Sequence, residues 1–555
     1  MAGLILWPLL GILFVFYLLR KKTDPALKRI PYVKYNAYLP DIFNRLIYYP
    51  KASSLIYRGY KKYTDSPFRM LTGDGEVIVL PVKYVDELKH LPPSIISSLD
   101  AVYENALGDY TNMVATSYLP SKTVKKRLTP SLDRVVRWVI DELRYAFDTG
   151  LPKCEGECPQ SPLHKQQTTE HSRPTEDKWT AIKPQELFVH LISRATSRVI
   201  AGESLRRNEE WLNTASSYAV NIGLTVVLLR PFPNFLRPFV APFLPSVRQM
   251  KQQLQFAKDL FRPMILERRE AEAANDPGYV KPDDFLQWMM DGAENEQDSD
   301  PEALAHHMML LMSLAVVHTV TVSMCYFLYD LIHRPEYLDP LRDEITRTLP
   351  DGWENGTKMS FDAQRRMDSF LRESQRFSPP GEHMKPVSFH RIVKEDLTLP
   401  DGVIIPKGAH ICFPSGPMSM DPSFIENPEP FDGFRWCLDP NDRNAYDPSA
   451  TATVNTNEKR VSEKQYNPAL VPSTSTSFVS TSPSNMHFGF GRQACPGRFF
   501  AAYTIKAIMS RIIMEYDFKF EDSQAGRRPV NWVVGEYVLP DTSPIVLLRK
   551  RSTGP

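Results

Sequence analysis

The stretch from His487 to Phe500, HFGFGRQACPGRFF, sets one cysteine among glycines, a proline, aromatics and two arginines. Three chemistries compete for it. Gly489-x-Gly491-x-x-Ala494 has the form of a dinucleotide-binding turn, but that turn must follow a strand, and the preceding STSPSN is turn-forming. An ordinary buried thiol would leave the glycines and arginines without a purpose. The third reading is a thiolate ligand at the start of a helix. From Pro496 onward the sequence has helical periodicity, and proline suits a first helical position. A cysteine just before it faces the positive end of the helix dipole, which favours the thiolate. Arg492 and Arg498 add positive charge. Gly489, Gly491 and Gly497 let the backbone approach something large and flat. A thiolate on such a loop suits axial ligation of a haem iron, with His487 as an alternative ligand.

The rest of the chain must position that loop. It has 555 residues, 42% hydrophobic and 24% charged, which is globular composition. With 66 basic and 65 acidic residues and no interleaved basic and aromatic patch, nothing points to nucleic acid. Six cysteines in so long a chain argue against a disulfide framework and for a reducing compartment. Cys154 and Cys158 alone are too few for a zinc site. The run Ala2 to Leu19 is uncharged and, at about 1.5 Å per residue, spans about 27 Å, the thickness of a bilayer core. Arg20 to Lys22 follow it, so that flank is expected to stay cytosolic, and no small-residue cleavage site comes after. Residues 1–22 therefore read as a transmembrane anchor and 23–40 as a proline-punctuated tether. The main body is 41–555, with polar insertions near 152–176 and 441–484.

Within the body, Pro67 to Pro81 reads as a hairpin turning at Gly73 to Gly75. Most of Ser131 to His333 has helical spacing. Pro301 to His333 is apolar over a membrane-spanning length, yet His318, Thr319 and Thr321 sit near its centre. Polar groups are costly at mid-membrane depth, so a helix buried in the protein is favoured. Phe389 to Pro414 alternates as strands with a turn at Pro400 to Gly402.

FGFGRQACPG resembles the haem-binding loop of the cytochrome P-450 monooxygenases, F-x-x-G-x-R-x-C-x-G. Phe488, Gly491, Cys495 and Gly497 fit. The usually basic position is Gln493, and Arg492 lies one residue earlier. The family's Glu-x-x-Arg pair has four matches here: Glu170–Arg173, Glu203–Arg206, Glu344–Arg347 and Glu373–Arg376. Only the last precedes PEPFDGFRW, with Phe431 and Arg435, and then Cys495 in the family's order. The resemblance thus implies a structural triad of Glu373, Arg376 and Arg435. It also places Arg391 where a propionate-binding arginine belongs, and Pro379 to Phe389 towards the substrate. AVVHT is similar to the family's oxygen-activating A-G-x-(D/E)-T, with His318 in place of the acid and Thr319 as the hydroxyl. HT there and ACPGRFFA after the loop resemble the ascomycete branch that includes ent-kaurene oxidase-like enzymes.

The resemblance implies a mainly α fold with small β-sheets, an N-terminal transmembrane helix, and a b-type haem (heme b) with Cys495 on the iron. It implies a monooxygenase that uses O2 on an apolar small molecule, a terpenoid or related secondary metabolite. Electrons would come from a separate NADPH-cytochrome reductase, and protons past Thr319 and His318. The lipid bilayer would hold residues 2–19, giving a single-pass protein of the endoplasmic reticulum with a cytosolic catalytic domain. Gly223 to Pro245 reads either as a membrane-dipping lip or as irregular core. A haem-thiolate isomerase, desaturase or dehydratase, or a membrane-anchored haem sensor, would share most of these marks.

Overall fold

The computed structural model describes residues 26–551, apart from 74, 114–116, 152–178, 275–276, 379–386, 438–475, 522–525 and 536. The expected anchor, the insertion near 152–176, Cys154, Cys158, most of the insertion at 441–484 and most of Pro379 to Phe389 lie outside the described residues.

Strand β1 (Tyr32–Val33) precedes α1 (Asp41–Lys62). Next come β2 (Phe68–Leu71) and β3 (Glu76–Val79), the expected hairpin. Strand β4 (Ile96–Ser97) runs directly into α2 (Ser98–Asn105), where the Ser97 hydroxyl accepts from the Asp100 N–H and caps the helix. The segment expected as a tether contributes β1, which pairs in parallel with β2, so the folded body begins before residue 41.

The helical body follows. Helix α3 (Leu132–Gly150) buries Leu132, Val135, Val136, Val139, Ile140 and Leu143, an i, i+3, i+4, i+7 stripe that can face only a core. Strand β5 (Thr180–Ile182) leads to α4 (Pro184–Ile200), α5 (Glu209–Leu229) and α6 (Pro245–Ala274). Helix α7 (Pro301–His333) is apolar on nearly every side because α4, α5 and α6 surround it. Met308, Met309, Met312, Met324, Cys325 and Phe327 are fully buried along it. Asp300 caps its first turn and Pro301 takes the first helical position. Its middle, Leu311–His318, is π-helical, a local unwinding that frequently marks a functional site.

Helices α8 (Leu338–Thr348) and α9 (Arg365–Phe377) lead to strands β6 (Ser388–Val393), β7 (Leu397–Thr398), β8 (Ile404–Ile405) and β9 (His410–Phe413). The expected turn at Pro400 to Gly402 joins β7 to β8. Last come α10 (Arg498–Glu515), β10 (Tyr516–Phe520), β11 (Trp532–Val534), β12 (Tyr537–Leu539) and β13 (Val546–Lys550). The largest sheet has the order β1-β2-β3-β9-β6-β4, and β10-β13-β5 form a second. The result is mainly helical with small sheets. The cysteine loop sits between the two parts and feeds α10, which packs against the second half of α7.

Candidate active site

The cysteine loop is a turn that only glycine can make. Gly489 and Gly491 adopt φ of +71° and +72°. A Cβ on Gly491 would stand 2.4 Å from both the Cβ and the carbonyl oxygen of Lys89. Cys495 N–H closes the turn on the Phe488 carbonyl at 2.7 Å. Phe488 packs edge-on against Phe478 at 5.2 Å between ring centres. Phe478 is itself buried, so the end of the segment expected as a surface insertion belongs to the core.

The helix after the loop begins at Arg498, with Gly497 as its cap, and not at Pro496 as the periodicity predicts. Proline and glycine form a turn instead, and this leaves the N–H groups of Gly497 and Arg498 pointing at Cys495. Burial raises the Cys495 thiol above its usual range, while those two N–H groups and the Arg498 charge pull it down. A metal cation bound at the sulfur would favour the thiolate further.

Cys495 is accessible, whereas the other described cysteines, Cys325, Cys412 and Cys437, are buried. Apart from its chain neighbours, no protein atom lies within 4 Å of where a Cβ on Gly497 would stand, so there is room beside this glycine too. On α7, Ala315 is exposed and Thr319 partly so, although Met312, Ser313, Val317 and Val320 around them are buried. These two residues, four apart, lie on one face of the central helix. The Thr319 hydroxyl donates to the Ala315 carbonyl at 2.9 Å. His318 lies beside it with Nε2 buried and without a partner among the described residues, and desolvation lowers its pKa.

Arg391 supports a negatively charged guest. It is 4% exposed, its Nε is buried without a partner, and no ion pair to it is found among the described residues. Nη1 donates to the His390 carbonyl at 2.7 Å, and the guanidinium lies over the Phe389 ring at 4.0 Å. Desolvation depresses its pKa to about 10. A buried cation without a counter-ion is costly, so the site fits a carboxylate-bearing group such as haem. Phe389 adopts φ +61°, a strained conformation for an aromatic residue, where the β6–β9 register slips between Ser388 and Arg391.

Arg492, expected as a haem-binding cation, lies elsewhere. It is exposed and lines a groove of about 480 Å³ with Lys89, Lys125, Phe490 and Arg498. Ala494 and Pro496 line that groove and Cys495 does not, so the groove runs along the opposite side of the loop. Gln493, at the usually basic position, is a staple. Its Oε1 accepts from Ser98 N–H and its Nε2 donates to the Ile96 carbonyl, both at 3.0 Å. The pattern of the motif shows that Gln493 is unusual but not what it binds, because both partners are backbone atoms nearly four hundred positions away.

Beneath the loop, the Glu373 carboxylate is fully buried and takes both Arg376 Nε and Nη2, at 2.9 and 2.6 Å. Arg435 Nε and Trp436 Nε1 each donate to it at 3.2 Å. The Arg376 guanidinium also reaches the Ser419 and Pro428 carbonyls. Of the other Glu-x-x-Arg matches, Glu203–Arg206 is a partly exposed pair at 3.0 Å and Glu344 binds backbone N–H groups instead. Glu170–Arg173 lies outside the described residues.

An accessible cysteine sulfur on a glycine turn and a buried arginine without a counter-ion among the described residues are the parts a haem-thiolate site needs. The family model for cytochrome P450 matches residues 163–547, and the chain belongs to that family. It is a haem-dependent monooxygenase with a cysteine thiolate as axial ligand. It is similar to cytochrome P450 monooxygenase penP of Penicillium crustosum, 41% identical over 552 residues, covering 99% of this chain and 95% of that one. Cytochrome P450 monooxygenase AtmP of Aspergillus flavus is 41% identical over 545 residues, 98% and 94% of the two chains. Cytochrome P450 monooxygenase paxP of Penicillium paxilli is 40% identical over 553 residues, 99% and 96% of the two.

Proposed function

We propose that this chain is a membrane-anchored monooxygenase that inserts oxygen into an unactivated C–H bond of an apolar small molecule, a terpenoid or related fungal secondary metabolite. The accessible Cys495 on its glycine turn carries this reading, with the buried Arg391, which has no counter-ion among the described residues, beside it as support. When bound, haem supplies the oxygen chemistry. The chain's residues do the rest. Cys495 would give the sulfur ligand, Gly497, open where a side chain would stand, would leave room for the ring, and Arg391 would pair with a haem carboxylate, while Gly491 serves the turn by letting Lys89 come close. Ala315 leaves room beside Thr319. Because the Thr319 proton is already engaged by the Ala315 carbonyl, the hydroxyl oxygen is left to accept from a water and so to orient it. His318, desolvated and neutral at pH 7, offers an acceptor and not a stored proton.

Electrons come from a separate NADPH-dependent reductase in this reading. The groove behind the loop, with Lys89, Lys125, Arg492 and Arg498, suits the acidic face of such a donor. The anchor at 2–19 and the exposed apolar residues of Gly223 to Pro245 favour the endoplasmic reticulum membrane, with the body in the cytosol.

The test is the spectrum of the reduced, carbon monoxide-bound protein beside that of Cys495→Ala. The red-shifted Soret band of a thiolate-ligated haem should appear in the first and vanish in the second. Its persistence in the variant would remove Cys495. Product formed under labelled O2 should carry one label, and an unlabelled product would favour isomerase or desaturase chemistry.

A further inference from the structure

The bulge that presents Arg391 lacks the usual means of holding its shape. Between the paired residues Ser388↔Phe413 and Arg391↔Ile411, β6 has one residue more than β9. Phe389 and His390 therefore fall out of the ladder, and Phe389 carries a positive φ. A bulge leaves its extra residue unpaired and the local backbone free to relax. Here a side-chain bond replaces the lost ladder contact. His390 Nδ1 and His410 Nε2 lie 2.9 Å apart, with the rings edge to face at 5.1 Å between centres. Both imidazoles are buried, at 7% and 5% exposure. His410 Nδ1 faces the Glu104 carboxylate at 3.8 Å, and Glu104 sits on α2, which covers this part of the sheet.

The Glu104 carboxylate at 3.8 Å is too far for a hydrogen bond but favours a proton on His410 Nδ1; Nε2 is then the acceptor and His390 Nδ1–H donates to it. The His390 carbonyl in turn receives Arg391 Nη1. The line Glu104, His410, His390, Arg391 thus runs from a half-exposed surface carboxylate to the cation that the haem carboxylate needs.

We infer that His390 and His410 are positioning residues, an imidazole pair that pins the β6 bulge to β9 and so aims Arg391 at the haem. The inference rests on the assignment of Arg391 made above. The pair touches neither substrate nor iron and acts only through Arg391.

The experiment uses the full-length, haem-loaded protein and measures the rate at which haem passes to excess apomyoglobin. His410→Phe should release haem about 10-fold faster, the usual effect of losing an outer partner. His410→Gln, whose amide oxygen can take the place of Nε2, should stay within about twofold of wild type. Arg391→Ala should also release haem faster, and His410→Phe added to it should change nothing more, because residues acting in one line are not additive. Haem-free His410→Phe loses one buried hydrogen bond and should melt somewhat below wild type, equally with and without Arg391→Ala. Additive rates in the double variant or a wild-type rate in His410→Phe would each overturn the proposal. If His410→Phe fails to fold, His390→Phe carries the same test. Misfolding of both would mean that the pair holds the sheet and not one side chain. A wild-type rate in Arg391→Ala would instead remove Arg391 itself, and absence of the thiolate Soret band would remove the haem assignment.

Discussion

Thr319 shows how little a motif says about a hydroxyl's present partner. Its side chain donates back to the Ala315 carbonyl, as threonines in helices commonly do. What separates it from an ordinary helical threonine is the exposure of Ala315 one turn away, on a helix that is otherwise largely buried. Thr319→Ala should therefore spare folding and haem binding yet lower product on the order of 10-fold or more, while NADPH-driven oxygen consumption continues. Unchanged product per oxygen consumed would take Thr319 out of the reaction. The sequence marks Thr319, Arg391 and Cys495 because each is identified by neighbours in the chain. It does not mark His390 or His410, and it marks Phe389 only as the end of a substrate-facing segment, because their roles depend on a strand register one residue out of step. It assigns a cation to Arg492 but cannot tell which side of the loop that cation faces.

At the scale of elements, helix ends and crossings do what the motifs do not record. Glu344 on α8 accepts the N–H groups of Arg366 and Met367, at 2.6 and 2.9 Å, in the first turn of α9. Desolvation outweighs those bonds and raises its pKa to about 7. A carboxyl whose pKa rises on folding stabilises most when protonated. Its contribution, on the order of a few kcal/mol, is complete below the unfolded pKa near 4 and is lost as pH climbs through about 7. Wild type should therefore lose melting temperature between pH 5.5 and 8 more steeply than Glu344→Gln, and parallel curves would contradict this assignment. The Gln493 staple is testable in the same way. Gln493→Ala removes two hydrogen bonds from the cysteine loop and should cost about 1–3 kcal/mol, read as a lower melting temperature. Gln493→Arg should not restore it, because a guanidinium has no acceptor for Ser98 N–H. The Glu373 triad was legible by order alone: among four matches, one stands upstream of Arg435 and Cys495 in sequence. Glu344 looked like an accident of the same pattern because its partners are backbone atoms of another helix.

For the molecule as a whole, the proposed membrane attachment is read from the surface of the body. The sequence left Gly223 to Pro245 undecided between a membrane-dipping lip and irregular core, since apolar residues suit either. The structure separates the faces. Leu229 and Ala241 are buried, whereas Val220, Leu224 and Val227 form an exposed stripe on α5, and Phe239 and Phe243 beyond it are 71% and 76% exposed. Exposing so many apolar side chains together is costly in water and marks a contact surface. In the proposed orientation this surface and the anchor at 2–19 both touch lipid, as two linked attachments, and removal of either leaves the other to act alone. Protein lacking residues 1–22 should thus still bind vesicles of neutral phospholipid. Burying a phenylalanine stabilises by about 2 kcal/mol when complete, so half-insertion of each ring gives about 1 kcal/mol. Phe239→Ser with Phe243→Ser in the anchor-free protein should then weaken vesicle binding by about 30-fold in a sedimentation assay, with the thiolate Soret band unchanged. If the two substitutions left binding where it was, the stripe would not face lipid and another surface of the body would; if the anchor-free protein bound no vesicles at all, the proposed anchor would be the sole attachment.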